Sequence, residues 1–291
     1  MRDPRFYRLG LIGWPVAHSL SPQLHETALR AGGLDGEYRL YPVPPPPEGV
    51  RAMEALTQKI RAGELAGLNV TIPHKRNIMG FLDECSPLAR AVGAVNTLFM
   101  KDGRLLGDNT DVHGFWNDLN RWAGSMGRCL PASGMALVLG AGGAARAAVY
   151  ALRMHGWTVV LAARRQDAAE ALAKDMRAAL ASSAALQAVP LDAKGIGGVP
   201  ATVVVNASSA GMEPNVRETP WPAGIAWPHG AVVYDMVYKP RCTALIRQAR
   251  GAGVPATHGL GMLVEQGALS FERWTGCPAP RAEMHQLFDK E

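Results

Sequence analysis

The stretch Met135-Ala-Leu-Val-Leu139, followed by Gly140-Ala141-Gly142-Gly143-Ala144-Ala145, decides the fold of this chain. Its apolar run predicts a buried strand, and the alanine-rich sequence that continues to His155 predicts a helix directly after the turn. Glycine at 140 permits a tight turn, glycine at 142 lets the backbone approach a pyrophosphate, and a small residue at 145 lets helix and sheet pack closely. The helix N-terminus would supply N–H groups and positive potential. The stretch therefore predicts a dinucleotide-binding turn rather than a structural glycine-rich loop.

The strand that follows this helix distinguishes between the two nicotinamide cofactors. It ends at Ala163-Arg164-Arg165, where an NAD-binding domain usually carries Asp or Glu for the ribose hydroxyls. Guanidinium groups pair well with a dianionic phosphate, so the sequence favours NADP. The alternative stays open that both arginines are solvated and Asp167 binds the ribose, which keeps NAD possible.

Outward from this stretch, short apolar runs alternate with helical patterns, which is typical of βαβ units and a largely parallel sheet. A helix is predicted to begin near Ser21-Pro22 with Ser21 as its cap, and Pro42–Pro47 is predicted to be an extended surface connection. The predicted strands are Leu9–Gly13, Glu37–Tyr41, Leu68–Ile72, Val95–Met100, Met135–Leu139, Thr158–Ala162, Ala185–Val189, Ala201–Val205 and Ala231–Tyr234.

A chain of 291 residues is long enough for two domains. A boundary is expected within Asp111–Gly134, and the helical segment Gly259–Glu291 is expected to return to the first domain. We therefore predict a two-domain α/β fold with a cleft between its domains. Residues 1–112 and 259–291 would form an α/β substrate-binding domain, and residues 113–258 a Rossmann-type NADP-binding domain.

Composition narrows the class of protein. The net charge is +5 and the pI is about 9.2, but no basic run occurs, so a mildly basic enzyme for anionic ligands is expected rather than a nucleic-acid-binding protein. Four widely spaced cysteines indicate neither a disulfide framework nor a zinc site. No apolar run approaches the roughly 20 residues of a membrane span. A cytoplasmic protein with a small-molecule substrate and no metal is the expectation.

The acid–base chemistry points to a lysine. No Tyr-x-x-x-Lys occurs, and no Cys–His cluster could hold a catalytic zinc. Asn69-Val-Thr71-Ile-Pro73-His74-Lys75 runs from the C-terminal end of the predicted strand Leu68–Ile72 into the loop after it, at the edge where α/β sheets bind ligands. Ser, Thr, Asn and Asp residues at neighbouring strand ends suit a ligand that carries hydroxyls and a carboxylate.

Five further sequence segments stand out along the chain: His18-Ser19-Leu-Ser21-Pro22, Asn69–Lys75, Gly93-Ala-Val-Asn96-Thr97, Asn109-Thr110-Asp111 and Gly259-Leu-Gly-Met262-Leu-Val-Glu-Gln266. Together and in this order they resemble the shikimate dehydrogenases, within the shikimate/quinate dehydrogenase family, and the resemblance runs from about Gly10 to Gly276. It implies reversible NADP-dependent reduction of 3-dehydroshikimate to shikimate, in aromatic amino acid biosynthesis, by a monomer or homodimer.

The resemblance also implies roles for individual residues. Lys75 and Asp111 would be the catalytic acid–base pair, and Ser19 and Ser21 would hold the substrate carboxylate. Thr71, Asn96, Asp111 and Gln266 would bind the ring hydroxyls, and Tyr238 would line the site. The cofactor would be bound by Gly140, Ala141, Gly142, Gly143, Ala144, Ala163, Arg164, Arg165, Asn206, Ser208, Gly259 and Met262.

Other interpretations stay open at this point. A quinate/shikimate dehydrogenase that uses NAD is the nearest, and a non-catalytic cofactor-binding sensor is a second. A folate dehydrogenase of related plan is disfavoured by the His-Ser-x-Ser-Pro and Asn-Thr-Asp segments. His18, His25 and His74 are expected to be structural rather than acid–base groups. Asp111 could cap the helix through Trp116, and Tyr238 could be a core residue.

Overall fold

The computed structural model describes residues 6–181 and 183–289. The chain divides into two compact units. The first comprises the chain up to Gly114 and again from Leu263, and the second is Phe115–Met262. The sequence-based boundaries are 112 and 258. Both observed boundaries fall inside helices, Asp111–Ser125 and Leu260–Thr275.

The first unit is built on a six-stranded sheet with the order β2-β1-β3-β5-β6-β4. β1 is parallel to β2 and β3, whereas β5 is antiparallel to both β3 and β6. This sheet is therefore mixed, not largely parallel as predicted. Its strands are β1 (Tyr7–Gly13), β2 (Gly36–Pro42), β3 (Gly67–Val70), β4 (Glu84–Cys85), β5 (Thr97–Lys101) and β6 (Arg104–Asp108).

A hairpin explains the antiparallel pair. Asp102 and Gly103 join β5 to β6, and both have positive φ, 51° and 74°. Two left-handed central residues are the geometry of the tight turn that Asp-Gly favours, because its twist matches that of the flanking strands. The Asp-Gly dipeptide was thus a sequence signal for β6, which the strand prediction missed.

The helices of the first unit cover the sheet and complete its core. They are α1 (Ser21–Ala31), α2 (Val50–Arg61), α3 (Pro87–Val92), the start of α4 (Asp111–Ser125), the larger part of α9 (Leu260–Thr275) and α10 (Arg281–Asp289), with a 3-10 helix at Asn77–Phe81. α10 packs on α1, so the C-terminal segment joins the first unit. Leu68, Val70, Met53, Ile60 and Leu98 belong to the buried core.

Two local predictions in this unit are wrong. Ser21 does not cap α1, because it lies inside the first turn and its own N–H is accepted by Ser19 Oγ at 3.2 Å. The stretch Pro42–Pro47 is not an extended surface connection throughout. Val43 is buried and its N–H donates to the Gly13 carbonyl at 3.0 Å, and residues 46–49 form a turn before α2.

The second unit has a six-stranded, wholly parallel sheet with the order β12-β11-β10-β7-β8-β9. This is the strand order of the doubly wound dinucleotide-binding fold, whose ligand site lies where the order reverses beside β7. The strands are β7 (Met135–Leu139), β8 (Thr158–Ala163), β9 (Leu186–Pro190), β10 (Val203–Asn206), β11 (Val232–Asp235) and β12 (Ala256–His258). The helices are α5 (Gly143–Met154), α6 (Gln166–Ala179), α7 (Ala193–Ile196) and α8 (Ala244–Gly251), with the rest of α4 and the start of α9.

The predicted α/β fold class is confirmed, and β7 lies where the opening stretch of sequence predicted a strand. β12 was missed, because it is three residues long and carries no clear apolar alternation. Over residues 6–181 and 183–289, no helix combines the length and the hydrophobicity that crossing a bilayer requires.

Candidate active site

Lys75 is held at the end of the segment that follows β3. Thr71 still donates its N–H to the Ile12 carbonyl at 2.8 Å, so the chain leaves the sheet directly after it. The Lys75 carbonyl then accepts the N–H of Val95 at 2.8 Å, which ties this segment to the one before β5. The backbone on both sides of Lys75 is therefore fixed, and its side chain is only 15% exposed.

The Lys75 ammonium contacts the carboxylate of Asp111. Lys75 Nζ donates to Asp111 Oδ2 at 2.5 Å, and the Asp111 side chain is 5% exposed. Asp111 is the first residue of α4, where a negative charge is stabilised by the unpaired N–H groups of the helix. Asn109 Oδ1, not Asp111, accepts the Val112 N–H at 3.3 Å, so Asp111 is left to bind the lysine.

Two further predicted residues join this pair. Asn96 Nδ2 donates to Asp111 Oδ1 at 2.9 Å and lies 3.3 Å from Gln266 Oε1. Gln266 lies on α9 against Gly114, where an added Cβ would be 2.7 Å from the Gln266 Cβ. Only a residue without a side chain at 114 lets α9 approach α4 this closely. The structure thus brings together Lys75, Asn96, Asp111 and Gln266.

Ser19 and Ser21 form a local pair of hydroxyls. Ser19 Oγ donates to Ser21 Oγ at 3.1 Å. None of the hydrogen bonds found in the described part of the chain joins these serines to Lys75 or Asp111. Thr71 is half-buried and packs on Gly13, where an added Cβ would be 2.3 Å from Thr71 Cγ2.

The histidines near these segments have structural surroundings. His25 is fully buried and stacks on Tyr38, with ring centroids 4.5 Å apart. Burial lowers the pKa of His25 to about 3, and neither ring nitrogen has a hydrogen-bond partner within the described residues. The imidazole is therefore neutral at physiological pH. His74 is also buried, and its Nε2 lies 2.7 Å from the Val43 carbonyl oxygen, which ties the lysine segment to the chain after β2.

The glycine-rich turn of the second unit leaves the backbone in front of α5 uncovered. Gly140 has a φ of 120°, and an added Cβ there would be 2.9 Å from the backbone of Ala207. An added Cβ at Gly142, by contrast, would meet nothing within 4 Å, so the backbone in front of α5 is open. Gly142 precedes α5 without a side-chain cap, which leaves the first N–H groups of the helix available to an anion.

Arg164 and Arg165 follow β8 directly and are both exposed. Arg165 precedes α6, and Asp167 lies in the first turn of that helix, also exposed. Arg164, Arg165 and Asp167, which the sequence analysis proposed as alternative ligands of the ribose or its phosphate, therefore all lie at the end of β8, the second strand of the dinucleotide-binding order.

Asn206 ends β10, and its amide is oriented by a buried carboxylate. Asn206 Nδ2 donates to Asp235 Oδ1 at 2.8 Å, and Asn206 Oδ1 accepts from the N–H and hydroxyl of Ser208 at 3.0 and 2.7 Å. Thr243 also donates to Asp235, at 2.6 Å. Burial raises the pKa of Asp235 to about 6, against the effect of its hydrogen bonds with Thr243, Val237 and Asn206. Sequence reasoning missed Asp235, although its place at the end of a buried strand was a signal.

The remaining predicted residues lie after β11 and at the start of α9. Gly259 approaches the backbone so closely that an added Cβ would be 2.3 Å from the Met236 carbonyl oxygen. Met262 is 8% exposed, in the first turn of α9. Tyr238 is half-buried, after β11 in the second unit. In the described part of the chain, no three His, Cys, Asp or Glu side chains are grouped to hold a metal ion.

Models of two protein domains match this chain. The shikimate dehydrogenase substrate-binding domain matches residues 11–98, and the shikimate 5'-dehydrogenase C-terminal domain matches residues 259–287. The chain is 42% identical over 278 residues to the shikimate dehydrogenase (NADP(+)) of Salinibacter ruber, over 94% of each chain. It is 41% identical over 271 residues to the enzyme of the same name from Thermus thermophilus, over 92% of each.

The fold of this chain is also similar to the folds of solved dehydrogenase structures. The shikimate 5-dehydrogenase of Thermus thermophilus in complex with NADP(H) and shikimate superposes with a TM-score of 0.83 at 37% identity, over 98% of this chain and 99% of that one. The quinate dehydrogenase of Corynebacterium glutamicum in complex with NAD gives a TM-score of 0.85 at 29% identity, over 99% of this chain and 100% of that one. By sequence identity, by domain models and by fold, this chain belongs to the shikimate dehydrogenase family.

Proposed function

We propose that this chain catalyses the reversible NADP-dependent reduction of 3-dehydroshikimate to shikimate, a step of aromatic amino acid biosynthesis. The observation that carries the proposal is the buried contact between the Lys75 ammonium and the Asp111 carboxylate, in a chain whose relatives are named shikimate dehydrogenase (NADP(+)). An acid–base pair of this kind is what a carbonyl reduction needs and what a cofactor sensor does not. The first unit would bind the substrate and the second the cofactor.

The substrate would lie against the groups gathered around Lys75. Asn96, Gln266 and Thr71 offer amide and hydroxyl groups to a ring that carries several hydroxyls. Ser19 and Ser21 would donate to its carboxylate, after giving up the hydrogen bond that they make with each other. Tyr238 would also contact the bound substrate in this proposal. Sites of this type discriminate strongly, because a ligand that lacks one hydroxyl leaves a buried partner unpaired.

Lys75 performs the proton transfer in this proposal. In the reducing direction its ammonium donates a proton to the ketone oxygen of the substrate, and its positive charge stabilises the negative charge that develops there. In the oxidising direction the neutral amine takes the hydroxyl proton. Asp111 holds the ammonium in place through the 2.5 Å contact, and Asn96 holds the other carboxylate oxygen.

The second unit fits a dinucleotide. A Cβ at Gly142 would occupy the open space in front of α5, and the uncapped N–H groups of that helix are donors for a pyrophosphate. Arg164 and Arg165 would pair with the ribose phosphate that distinguishes NADP from NAD. The Asn206–Ser208 turn, Gly259 and Met262 would lie along the nicotinamide end. The bound nicotinamide supplies or accepts the hydride.

A steady-state matrix of shikimate and quinate against NADP and NAD tests the proposal. We expect kcat/KM to be highest for shikimate with NADP. A second candidate, quinate or shikimate oxidation with NAD, is favoured by the fold similarity to the quinate dehydrogenase in complex with NAD and would give its highest kcat/KM with NAD. Absence of turnover with all four pairs would contradict both and favour the sensor.

The proposal extends to the cellular context. We propose a cytoplasmic enzyme, active as a monomer or homodimer, with no nucleic-acid partner and no membrane association. Cell fractionation and light scattering of the purified protein test the location and the oligomeric state.

A further inference from the structure

A buried group of polar side chains lies directly behind Asn96 and takes no part in the proton transfer proposed above. Its members are Asn69, Thr97, Thr110 and Ser270, each at most 5% exposed, and we call them the polar core. They come from β3, β5, the residue before α4, and α9, so the tertiary fold assembles them. Buried polar groups are costly unless they are fully hydrogen-bonded, so the pattern of donors and acceptors here is constrained.

The orientation of the Asn96 amide follows from one unambiguous donor. Asn96 Oδ1 lies 2.8 Å from the backbone nitrogen of Thr110, which can only donate. Thr97 Oγ1 lies 3.0 Å from the same oxygen and also donates to it. The opposite end of the amide is therefore Nδ2, which donates to Thr110 Oγ1 at 2.8 Å and to Asp111 Oδ1 at 2.9 Å.

The hydroxyl of Thr97 lies between Asn96 Oδ1 and Ser270 Oγ. Ser270 Oγ accepts from Asn69 Nδ2 at 3.0 Å and donates to the Gln266 carbonyl at 3.0 Å. Ser270 Oγ also lies 2.8 Å from the Thr97 hydroxyl and 3.2 Å from the Thr110 hydroxyl, and in each of these pairs either oxygen can be the donor. Asn96 Oδ1 can only accept, so Thr97 is the donor in the 3.0 Å contact between Thr97 and Asn96.

We propose that Thr97 is a positioning residue, whose hydroxyl holds the Asn96 amide so that an N–H faces Asp111. The catalytic part of this inference rests on the function proposed above. As Lys75 gives its proton to the substrate, the positive charge beside Asp111 disappears, and the Asn96 N–H still stabilises the carboxylate together with the N-terminus of α4. A rotated amide would instead place an oxygen against the carboxylate oxygen, where the two repel.

Thr97→Val and Thr97→Ser form a matched pair. Valine has nearly the shape of threonine but no hydroxyl, whereas serine keeps the hydroxyl and loses the methyl group. We expect Thr97→Val to lower kcat about tenfold, the kinetic equivalent of weakening one hydrogen bond to a charged group. The KM for NADP should not change, because its expected ligands lie in the second unit. Thr97→Ser should restore kcat to near the wild-type value.

A second readout does not depend on activity. In the ¹⁵N spectrum of the free protein, the side-chain amide of Asn96, identified by its absence in Asn96→Asp, should exchange its protons slowly in the wild type and in Thr97→Ser. It should exchange faster in Thr97→Val. If the wild type fails to oxidise shikimate, the proposed function is wrong, and the amide exchange still decides whether Thr97 holds Asn96.

Two results would overturn the inference. One is a Thr97→Val protein with wild-type kcat and wild-type amide exchange. The other is an equal loss in Thr97→Val and Thr97→Ser, which would assign the effect to packing of the methyl group. If Thr97→Val does not fold, Thr97→Ala, which adds no atom, replaces it with the same expected results.

Discussion

Lys75 Nζ lies 2.5 Å from Asp111 Oδ2, although the two residues are 36 positions apart in the chain. One follows β3 and the other begins α4, so the sheet of the first unit brings them together. Both side chains are largely buried, which excludes competing water and makes the contact stronger than an exposed ion pair.

Replacement of this lysine tests the acid–base assignment. We expect Lys75→Ala to fold and to bind NADP with wild-type affinity, and to lose about 10²–10⁴-fold in kcat, the usual contribution of a positioned acid or base. Steady-state kinetics and cofactor titration measure the two effects. Lys59→Ala, at an exposed lysine paired with Glu64, is the matched control and should keep wild-type turnover. A near-normal kcat in Lys75→Ala would contradict the assignment of Lys75 as the acid–base group.

The two glycines of the cofactor turn should respond differently to alanine. Gly140→Ala places a Cβ 2.9 Å from the Ala207 backbone at a φ of 120°, so we expect it to destabilise the protein by about 1–3 kcal/mol. Gly142→Ala meets no protein atom within 4 Å and should keep the wild-type melting temperature.

The second half of this prediction concerns binding. Gly142→Ala should weaken NADP binding at least tenfold, since the added methyl group occupies the space that the pyrophosphate needs. Calorimetry of unfolding and of NADP binding separates the two variants. Unchanged NADP affinity in Gly142→Ala would show that the open space in front of α5 is not the phosphate site.

The exposed arginines after β8 should decide the choice of cofactor. Replacing Arg164 and Arg165 by alanine removes charge-assisted hydrogen bonds to the ribose phosphate, worth about 1.5–3 kcal/mol each. The KM for NADP should rise at least tenfold, whereas the KM for NAD should change little. Lys174→Ala, an exposed cation on α6, is the control for general electrostatic attraction. Equal changes for both cofactors would contradict the phosphate pairing.

Asp235 should make stability depend on pH. Burial raises its pKa from 3.8 to about 6 in the folded protein, so the folded state binds this proton more tightly than the unfolded chain does. The protonated carboxyl therefore favours folding at low pH, and this contribution is lost as the pH rises from about 4 to about 6. Over that window it amounts to about 3 kcal/mol.

Asp235→Asn cannot titrate at this position and isolates the effect. The free energy of unfolding of the wild type, relative to Asp235→Asn, should fall as the pH rises from 4 to 7 in denaturant titrations. Asp167→Asn, at an exposed position, should follow the wild-type curve. If wild type and Asp235→Asn keep a constant difference at every pH, the carboxyl does not titrate in this range.

Much of the fold could be predicted because its signals are local. The β7 strand, the glycine turn and α5 are contiguous in sequence, and each residue type has a conformational reason to stand where it does. The mixed sheet of the first unit was not predicted, although Asp102-Gly103 is a hairpin signal. Leu105 and Leu106 beside it were too short an apolar run to indicate a strand alone.

The sequence by itself determined the parallel βαβ organisation of the second unit, the glycine-rich turn before α5 and the segments that mark the family, because periodicity, glycine and short motifs act over a few residues. Only the tertiary structure decided how distant groups meet. It joined Lys75 to Asp111, placed the Thr97 hydroxyl against Asn96, and buried Asp235 beside Asn206. These contacts depend on strand order and helix packing, and the burial that perturbs a carboxyl arises only when the chain has closed around it.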